Sequence, residues 1–536
     1  MSRLVGLLTR RSALILFLLA LAVRLVHLAR SPHRDELFHV MAALSLLADG
    51  DLSVDGGSPY NRAWPFTYLV AGLFRLFGES LVVARLPGVV AGAGLVAILF
   101  LWVRKNAGDK TAWASALLLC FDPSHVFLSQ LGRFYAPHAL FFFVGAIAVY
   151  QAVEPPWNIR RLWMGGILSV VSFGLAYSLH VGTFLGLAAL LSWLALACGP
   201  PLVRRLPKAR RWLFVPLAAL AAVAAFLGLE AATGIDVSRT YMFADDWAYK
   251  RSGNPFFYHQ RLAHDYPTLW SLFPIAVLIA LKKAPRVTLF STVVFLAGVG
   301  LASFGGMKHQ RYILYLMPFF FTVSGIAVVT VLPWLRRSIG DLLRRWSFLS
   351  ARPRVTAAAA NMVLIGMLLL AIGTNRAPIN TARMLSARES DVGTYGWQPD
   401  WNAAKPLLAP LADSSEVVLG SWPLAPRYFL GRLDVSLHAP ELTDWQGRRL
   451  PEFSRPGWFL PQPVISERES LARIMACEPS GLLIVENGHW RASWAVSDDL
   501  ADYIVENLDR VEVPGRWGLW VYRWQREPEN VENPCA

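Results

Sequence analysis

The chain has 536 residues, of which 55% are hydrophobic and 16% charged, with a positive mean hydropathy and a formal net charge of +14. Long apolar runs over roughly the first 375 residues exclude an ordinary soluble protein and predict a polytopic α-helical membrane protein. Nucleic acid is not needed as a partner to explain the positive charge, because basic residues at one membrane face account for most of it.

Stretches of about 17 to 25 mainly apolar residues are long enough to cross a bilayer as helices. Eleven are predicted, near residues 13–30, 80–103, 111–128, 135–151, 162–179, 181–198, 213–230, 267–281, 287–304, 311–333 and 355–373. The first is interpreted as a retained helix rather than a cleaved signal peptide, because Arg24 interrupts its apolar run and no small-residue cleavage site follows it.

Basic residues set the predicted orientation of these helices. With the N-terminus in the cytoplasm, the cytoplasmic connections carry 22 Lys and Arg against three Asp and Glu. Such an excess is typical of cytoplasmic loops. The exported side then receives residues 31–79, 122–134, 231–266, 305–310 and everything after 374.

The sequence changes character after residue 374. Strand-like segments near 417–420, 481–485 and 519–522 alternate with helix-like segments, 467–476 and 497–507. The pattern predicts two domains, a transmembrane domain over 1–374 and a soluble α/β domain over 375–536 on the exported side.

Tryptophan and cysteine leave two alternatives open in this C-terminal domain. Ten of the 21 tryptophans lie there, and they either stack on saccharide rings or pack in the core. Cys477 and Cys535 are both on the exported side, but sequence alone does not show whether they pair.

Two adjacent acids, Asp35 and Glu36, follow the first predicted span directly. Charge this close to a bilayer is costly unless it faces water at a functional site. His39 lies one turn after Asp35 and shares a face of the predicted helix, as a ligand or as a packing residue. The alternative for the acid pair is helix capping, because carboxylates stabilise helix N-termini by about 0.3–1 kcal/mol.

Basic residues recur at the exported ends of the predicted spans. Lys308, His309 and Arg311 place three bases within four positions on the side that is normally poor in bases. A bound anion explains them, either a phosphate group or a lipid headgroup. Arg133 lies at the start of another span.

Further polar residues on the exported side are secondary candidates. Asp122 and His125 precede Arg133, and Asp122 before Pro123 is also a common turn start. The long loop 231–266 carries Asp245 and Asp246, which either contact an acceptor or belong to a solvated loop.

Acids beside bases at a membrane surface suit displacement of a phosphate leaving group. A carboxylate takes the proton from an acceptor hydroxyl, while cations stabilise the departing phosphate. Arginine suits the second role because its planar guanidinium binds phosphate oxygens in a bidentate way.

Five segments, in order, carry a family resemblance over roughly residues 12–335. They are the Asp-Glu pair after the first span, Ala-Ala-Leu-x-Leu-Leu-x-x-Gly at 42–50, Leu-Phe-Gly-Glu-Ser-Leu-Val-Val-Ala-Arg-Leu-Pro-Gly at 76–88, Ser-x-x-x-x-Leu-Ser-x-x-Gly-Arg-Phe-Tyr-Ala at 124–136 and His-x-Arg-Tyr-x-Leu-x-Leu-x-Pro at 309–318. The set resembles the GT-C glycosyltransferases, in the bacterial branch related to protein O-mannosyltransferases and the lipid A aminoarabinose transferase.

The resemblance implies inverting transfer of a sugar from a polyprenyl-phosphate donor to a glycan, lipid or protein acceptor at the exported face of a bacterial inner membrane. It implies Asp35 as general base, with Glu36 orienting it or binding a metal or the acceptor. The carrier phosphate would contact Arg133, Lys308, His309 and Arg311, and Tyr312 would line the lipid groove. The secondary or acceptor-side candidates are His39, Tyr60, Arg62, Asp122, His125, Asp245 and Asp246.

Several features qualify the resemblance. Arg34 precedes the acid pair, where relatives more often carry an apolar or aromatic residue. No Asp-x-Asp motif for a nucleotide sugar stands out on the cytoplasmic side, which agrees with a lipid-linked donor. No cofactor is required by any motif, and dependence on a divalent metal is left open. The alternatives are a flippase of lipid-linked saccharide and an enzyme like the O-antigen ligases or polymerases.

Overall fold

The computed structural model describes residues 2–54, 57, 59–155, 158–205, 254–304, 308–345, 353–386, 399–438, 442, 448–455 and 461–526. Most of this part is helical, and one sheet lies near the C-terminus. The α-helices are Ser2–Leu25, Glu36–Ala48, Trp64–Phe77, Leu81–Ala107, Asp109–Cys120, Pro123–Ser129, Tyr135–Val153, Ile159–Leu179, Thr183–Arg205, Phe257–Asp265, Pro267–Ser271, Phe273–Lys283, Pro285–Ser303, Met317–Arg344, Pro353–Thr374, Arg376–Ser386, Trp401–Asp413, Leu424–Leu430, Arg468–Cys477 and Asp498–Asn507. Short 3₁₀ helices are Gln310–Leu316, Asn487–His489 and Gly515–Trp517.

Six helices within the described residues are long and apolar enough to cross a membrane. They are Leu81–Ala107, Tyr135–Val153, Ile159–Leu179, Pro285–Ser303, Gln310–Arg344 and Arg354–Thr374. A multi-pass membrane protein is therefore confirmed, while the total of eleven spans stays a prediction. The span predicted at 213–230 lies outside the described residues.

The span predicted at 111–128 is divided into two helices. The apolar run at 111–128 forms a helix that ends at Cys120 and a second, short helix that begins at Pro123. Proline lacks a backbone N–H, so it interrupts a helix but fits the first position of a new one. Asp122 lies at the break, where its backbone N–H bonds to the carbonyl of Leu119 at 3.3 Å.

The chain divides into two compact units. The first comprises Met1–Leu25, Gly88–Ser129 and Phe134–Ala382, and the second comprises Val26–Pro87, Gln130–Arg133 and Arg383–Ala536. The segment after the first helix therefore belongs to the same unit as the C-terminal sheet. The boundary near residue 374 divides the chain by sequence rather than by contacts, and it stays a prediction.

The sheet of the second unit has five strands in the order β2-β1-β3-β5-β4. The strands are β1 (Val417–Gly420), β2 (Val435–Ser436), β3 (Ser480–Glu486), β4 (Asp509–Arg510) and β5 (Leu519–Gln525). β1 pairs in parallel with β2 and β3, whereas β5 pairs antiparallel with β3 and β4. The α/β character predicted for the C-terminal region is confirmed.

Helices cover both faces of this sheet. Alternating residues of β3 separate the two cores, with Leu482 and Ile484 on one side and Leu483 and Val485 on the other. The helices Arg468–Cys477 and Asp498–Asn507 cover the second side, and Ser497 caps the latter by accepting the Leu500 N–H at 3.3 Å.

The first side of the sheet is covered partly by the N-terminal half of the chain. Leu37, Phe38 and Met41 of the helix Glu36–Ala48 join the same core as Trp401 and Ile484. Each of these side chains is at most 8% exposed. The helix that follows the acid pair is thus packed into the core of the C-terminal sheet, and this core positions the site described below.

Packing explains several C-terminal tryptophans. Trp401 and Trp524 are buried, and Trp490 stacks on Trp520 with ring centroids 5.1 Å apart. Trp494 is 41% exposed. Cys477 is disulfide-bonded, and Cys535 lies outside the described residues.

Candidate active site

Asp35 lies at the N-cap position of the helix Glu36–Ala48, yet its carboxylate does not cap that helix. A capping side chain accepts a hydrogen bond from the first-turn N–H groups, and Asp35 makes no such bond. The side chain is 26% exposed. The capping alternative is therefore not supported for Asp35, and its carboxylate keeps access to solvent.

Arg133 fixes Asp35 from the buried side. Its guanidinium donates to the Asp35 backbone carbonyl at 2.7 Å and to the Tyr60 hydroxyl at 3.3 Å. Its Nη2 lies 3.7 Å from Asp35 Oδ2, and the arginine side chain is only 2% exposed. The structure thus brings together Asp35, Arg133 and Tyr60, three of the residues selected from the sequence.

Glu36 has a different environment from its neighbour, because its carboxylate is fully enclosed. Arg85 Nε donates to Oε1 at 3.0 Å and Nη2 donates to Oε2 at 2.7 Å, in a bidentate pair whose side chains are each 1% exposed. The backbone N–H groups of Gly132 and His33 add hydrogen bonds of 2.6 and 2.7 Å. Burial by itself raises the pKa of Glu36, but Arg85 and these hydrogen bonds overcome it and hold the pKa below 4.5.

Arg85 links this carboxylate to the segment before the acid pair. Its Nη1 donates to the backbone carbonyls of Leu28 at 2.5 Å and Arg30 at 2.8 Å. Since all four of its acceptor positions are filled by donors from the chain, Glu36 is placed to orient the segment rather than to contact a ligand. Arg85 was missed as a site residue from the sequence, although it lies inside the 76–88 motif.

His39 lies near Asp35 and Arg62, and its ring contacts that of Tyr60. His39 is buried, exchanges a 2.9 Å hydrogen bond with Thr67, and meets the Tyr60 ring edge-on at 5.1 Å. Burial and then Arg133 lower the pKa of His39 well below 6.5, so the imidazole is neutral. The packing interpretation fits His39, while Arg62 is exposed.

Arg34, on the N-terminal side of Asp35, forms an ion pair with a glutamate of the sheet. Its Nε lies 2.7 Å from Oε2 of Glu486, the last residue of β3, whose side chain is 2% exposed. The Trp401 indole N–H donates to the other oxygen, Oε1, at 3.2 Å. Burial raises the pKa of Glu486, and Arg34 opposes this shift. No local pattern in the sequence predicts this pair, because 452 positions separate the two residues.

The basic cluster of the first unit is held by aromatic rings. The Arg311 guanidinium lies 5.5 Å from the Tyr135 ring centre and 5.3 Å from that of Tyr312, within cation–π range. His309 Nδ1 accepts the Arg311 backbone N–H at 3.2 Å. Lys308 is 8% exposed, and burial lowers its pKa.

Asp122 and His125 belong to a buried network of the first unit. Asp122 accepts the His125 N–H at 2.8 Å and the Tyr266 hydroxyl, and His125 Nδ1 lies 2.7 Å from Nη2 of Arg24. These contacts favour the structural interpretation of Asp122. They also give Arg24 a partner, His125, within the first unit.

Two points of the sequence prediction lie beyond what the structure describes. Asp245 and Asp246 lie outside the described residues. Among the described residues, no group of three or more His, Cys, Asp or Glu side chains is arranged to hold a metal ion.

Comparison with known families gives a match over part of the chain. Residues 62–228, less than a third of the chain, match the family model described as dolichyl-phosphate-mannose-protein mannosyltransferase. No curated protein matches the sequence.

Comparison with solved structures gives matches over nearly the whole chain. ArnT from Cupriavidus metallidurans, in its apo state and bound to undecaprenyl phosphate, matches with a TM-score of 0.59 and 14% identity. The apo match covers 97% of this chain and 98% of that one. The archaeal oligosaccharyltransferase AglB from Archaeoglobus fulgidus, solved with an inhibitory peptide and a dolichol-phosphate, matches with a TM-score of 0.53 and 12% identity, over 98% of this chain and 75% of that one.

These matches confirm the resemblance stated from the sequence. The chain has the GT-C fold of membrane glycosyltransferases related to the protein mannosyltransferases and ArnT. At identities of 12–14% the solved structures establish the fold, and the chemistry must be argued from the residues of this chain.

Proposed function

We propose that the protein is a membrane glycosyltransferase that moves a sugar from a polyprenyl-phosphate carrier to an acceptor hydroxyl at the exported membrane face. The observation that carries the proposal is Asp35, whose partly exposed carboxylate makes no capping bond and is fixed from behind by buried Arg133. The GT-C fold supports the same reaction, because the compared ArnT and AglB structures hold undecaprenyl phosphate and a dolichol-phosphate.

In the proposed reaction, Asp35 removes the proton of the acceptor hydroxyl as its oxygen attacks the anomeric carbon. The bond from that carbon to the phosphate oxygen breaks on the opposite side, so the configuration inverts. The carrier phosphate leaves with the bonding electrons, and its charge is stabilised by Lys308, His309 and Arg311. Arg133 keeps Asp35 in position. In the proposal, Arg133 also contacts the carrier phosphate.

The aromatic setting of Arg311 suits a phosphate site. Its stacking between Tyr135 and Tyr312 orients the planar guanidinium and limits the entropy lost when it binds an anion. The burial of Lys308 strengthens its attraction for a phosphate, because the local dielectric constant is lower than in water. In the proposed site Tyr312 also borders the lipid chain of the donor.

The exported location is part of the proposal, with the protein in a bacterial inner membrane, the N-terminus in the cytoplasm and the sheet outside. The disulfide bond of Cys477 supports an exported sheet, because disulfides persist in oxidising compartments and are rare in the cytoplasm. The acceptor is a glycan, a lipid or a protein, and the assay below identifies it by supplying each.

The test is release of polyprenyl phosphate from a panel of polyprenyl-phosphate sugars by the purified protein in nanodiscs, with acceptor extracts supplied. We expect release by the wild type and a loss of at least about 10²-fold in Asp35→Asn, because the variant lacks the general base. The matched control is Asp51→Asn, an exposed aspartate of the same unit that should retain wild-type turnover. Full activity of folded Asp35→Asn would overturn the role of Asp35.

Absence of release from any donor, with a folded protein and all acceptors present, would overturn the enzymatic proposal. A lipid-flipping assay on the same nanodisc lipids would then test the transporter alternative. Treating the wild type with EDTA and measuring release before and after readdition of divalent ions determines whether turnover needs a metal.

A further inference from the structure

The residues on both sides of Asp35 are ion-paired with buried partners. Arg34 pairs with Glu486 at 2.7 Å, and Glu36 pairs with Arg85 at 2.7 Å. Asp35 between them keeps a 26% exposed carboxylate. Arg34 and Glu36 are therefore anchored by ion pairs, and the partly exposed Asp35 lies between them.

The Arg34 anchor comes from the central part of the C-terminal sheet. Glu486 ends β3, which is hydrogen-bonded to β1 on one side and to β5 on the other. Its backbone N–H donates to the Ser421 hydroxyl at 2.9 Å, and its side chain receives the Trp401 indole N–H. Both the backbone and the carboxylate of Glu486 are therefore fixed before Arg34 is considered.

Four further contacts attach the same segment to residues of the C-terminal region. The Ser31 hydroxyl donates to Asp400 Oδ1 at 2.8 Å and accepts the Asn402 N–H at 3.0 Å. The Asn402 side-chain amide donates to the Ala29 carbonyl at 3.0 Å. The guanidinium of Arg34 also lies 5.6 Å from the ring centre of Trp422. The segment from residue 29 to Asp35 is thus held along its length by residues of the C-terminal region.

Stability alone does not explain a carboxylate in this position. A buried ion pair contributes little net stability, because desolvating both charges offsets their attraction, and apolar replacements of similar volume are often as stable. Such pairs can instead fix one arrangement among several. Here the arrangement fixed is that of the residue next to the proposed general base.

We infer that Glu486 is a positioning residue for the transfer reaction: through its ion pair with Arg34, the C-terminal sheet holds Asp35 in its reactive position. The inference rests on the proposed function of Asp35 and adds a role for the C-terminal region in the chemical step. It also gives a structural reason for the charge of Arg34, whose guanidinium contacts the buried carboxylate of Glu486.

The first experiment measures kcat and KM for the donor in Glu486→Gln, Arg34→Gln and the double variant. Gln retains the shape of Glu486 and an oxygen for the Trp401 indole, but it removes the charge. A displacement of a catalytic group by about 1 Å lowers the rate on the order of 10²-fold. We therefore expect kcat to fall by about 10- to 100-fold, with KM nearly unchanged. The double variant should fall no further than Arg34→Gln alone, since Glu486 acts through Arg34.

The matched control is Asp434→Asn, which removes the carboxylate of another ion pair of the same sheet domain, Arg432 to Asp434 at 2.8 Å. It should leave kcat per folded protein unchanged. Additive losses in the double variant, or a wild-type kcat in folded Glu486→Gln, would overturn the inference.

The second experiment does not depend on activity and therefore separates this inference from the proposed function. Hydrogen exchange of the backbone amides of residues 29–36 should be faster in Glu486→Gln than in the wild type and in Asp434→Asn. Unchanged exchange in that peptide would overturn the positioning role even if Asp35 proves essential. If the wild type releases no carrier phosphate, the proposed function fails, and the exchange result still decides whether Glu486 orders the segment.

Discussion

Neighbouring acids in this chain have opposite environments. Asp35 is partly exposed and makes no capping bond, whereas Glu36 accepts four hydrogen bonds, two of them from Arg85. Their order in sequence explains the division, because consecutive residues at the start of a helix point in different directions. The enclosed acid fixes the backbone, whereas the carboxylate of Asp35 beside it is partly exposed.

The acid pair shows how far single residues were predictable. The proximity of Asp35 and Glu36 to a membrane span was sufficient to select them, since charge at that depth is costly. The partners Arg85 and Glu486 were not predictable, because both contacts join residues far apart in sequence and no local periodicity records such pairs.

Replacing Glu36 with Gln should change stability in a pH-dependent way. The variant removes the carboxylate of a buried pair, which costs about 3–5 kcal/mol at neutral pH. The pKa of Glu36 is below 4.5 in the folded protein, so its contribution is fully present above 4.5 and is lost as the pH falls through the lower folded value. The stability difference between wild type and variant should therefore shrink as the pH falls below about 4.5.

Thermal unfolding in nanodiscs at a series of pH values measures this difference. The control is Glu79→Gln, an exposed glutamate of the same unit, for which a change within about 0.5 kcal/mol is expected at every pH. A difference for Glu36→Gln that grows on acidification would contradict the assignment of a stabilising Arg85 to Glu36 pair.

The helix Glu36–Ala48 connects the proposed general base to the fold of the C-terminal region. Its residues Leu37, Phe38 and Met41 share a core with β3 and with Trp401. The sequence pattern predicted the helix and the strands separately. It could not predict that they pack together, because an apolar helix face indicates burial but does not identify the element that covers it.

Phe38 provides a test of this packing. It is 8% exposed, stacks on Tyr60 with ring centroids 5.4 Å apart, and lies in the sheet core. We expect Phe38→Ala to lower the free energy of unfolding by about 3–5 kcal/mol, because it leaves a cavity in that core. The control is Leu47→Ala on the same helix, a residue that is 43% exposed and should cost little.

The measurement for Phe38 is tryptophan fluorescence during thermal unfolding, since the C-terminal region carries many of the tryptophans. Equal unfolding temperatures for Phe38→Ala and Leu47→Ala would show that the helix does not contribute to the core of the sheet.

Over the whole chain, composition was sufficient to predict the fold class but not which segments pack together. The apolar runs and the strand-like C-terminal segments were sufficient for a helical membrane protein with an α/β region. Contacts nevertheless place Val26–Pro87 in one unit with Arg383–Ala536. A change in composition predicts where the apolar helices end, but it does not show which of the polar segments fold together.

Charge asymmetry predicts the sidedness of the whole molecule and allows a direct test. The connections assigned to the cytoplasm hold 22 basic and three acidic residues, and this bias sets the orientation of membrane proteins. In right-side-out vesicles, a membrane-impermeant maleimide should label Glu512→Cys, an exposed position of the sheet domain, and should not label Lys282→Cys, an exposed position of a predicted cytoplasmic connection. Both should react after the vesicles are permeabilised, because both sites are exposed. Labelling of Lys282→Cys alone in sealed vesicles would reverse the topology, and Asp35 would then work on the cytoplasmic side.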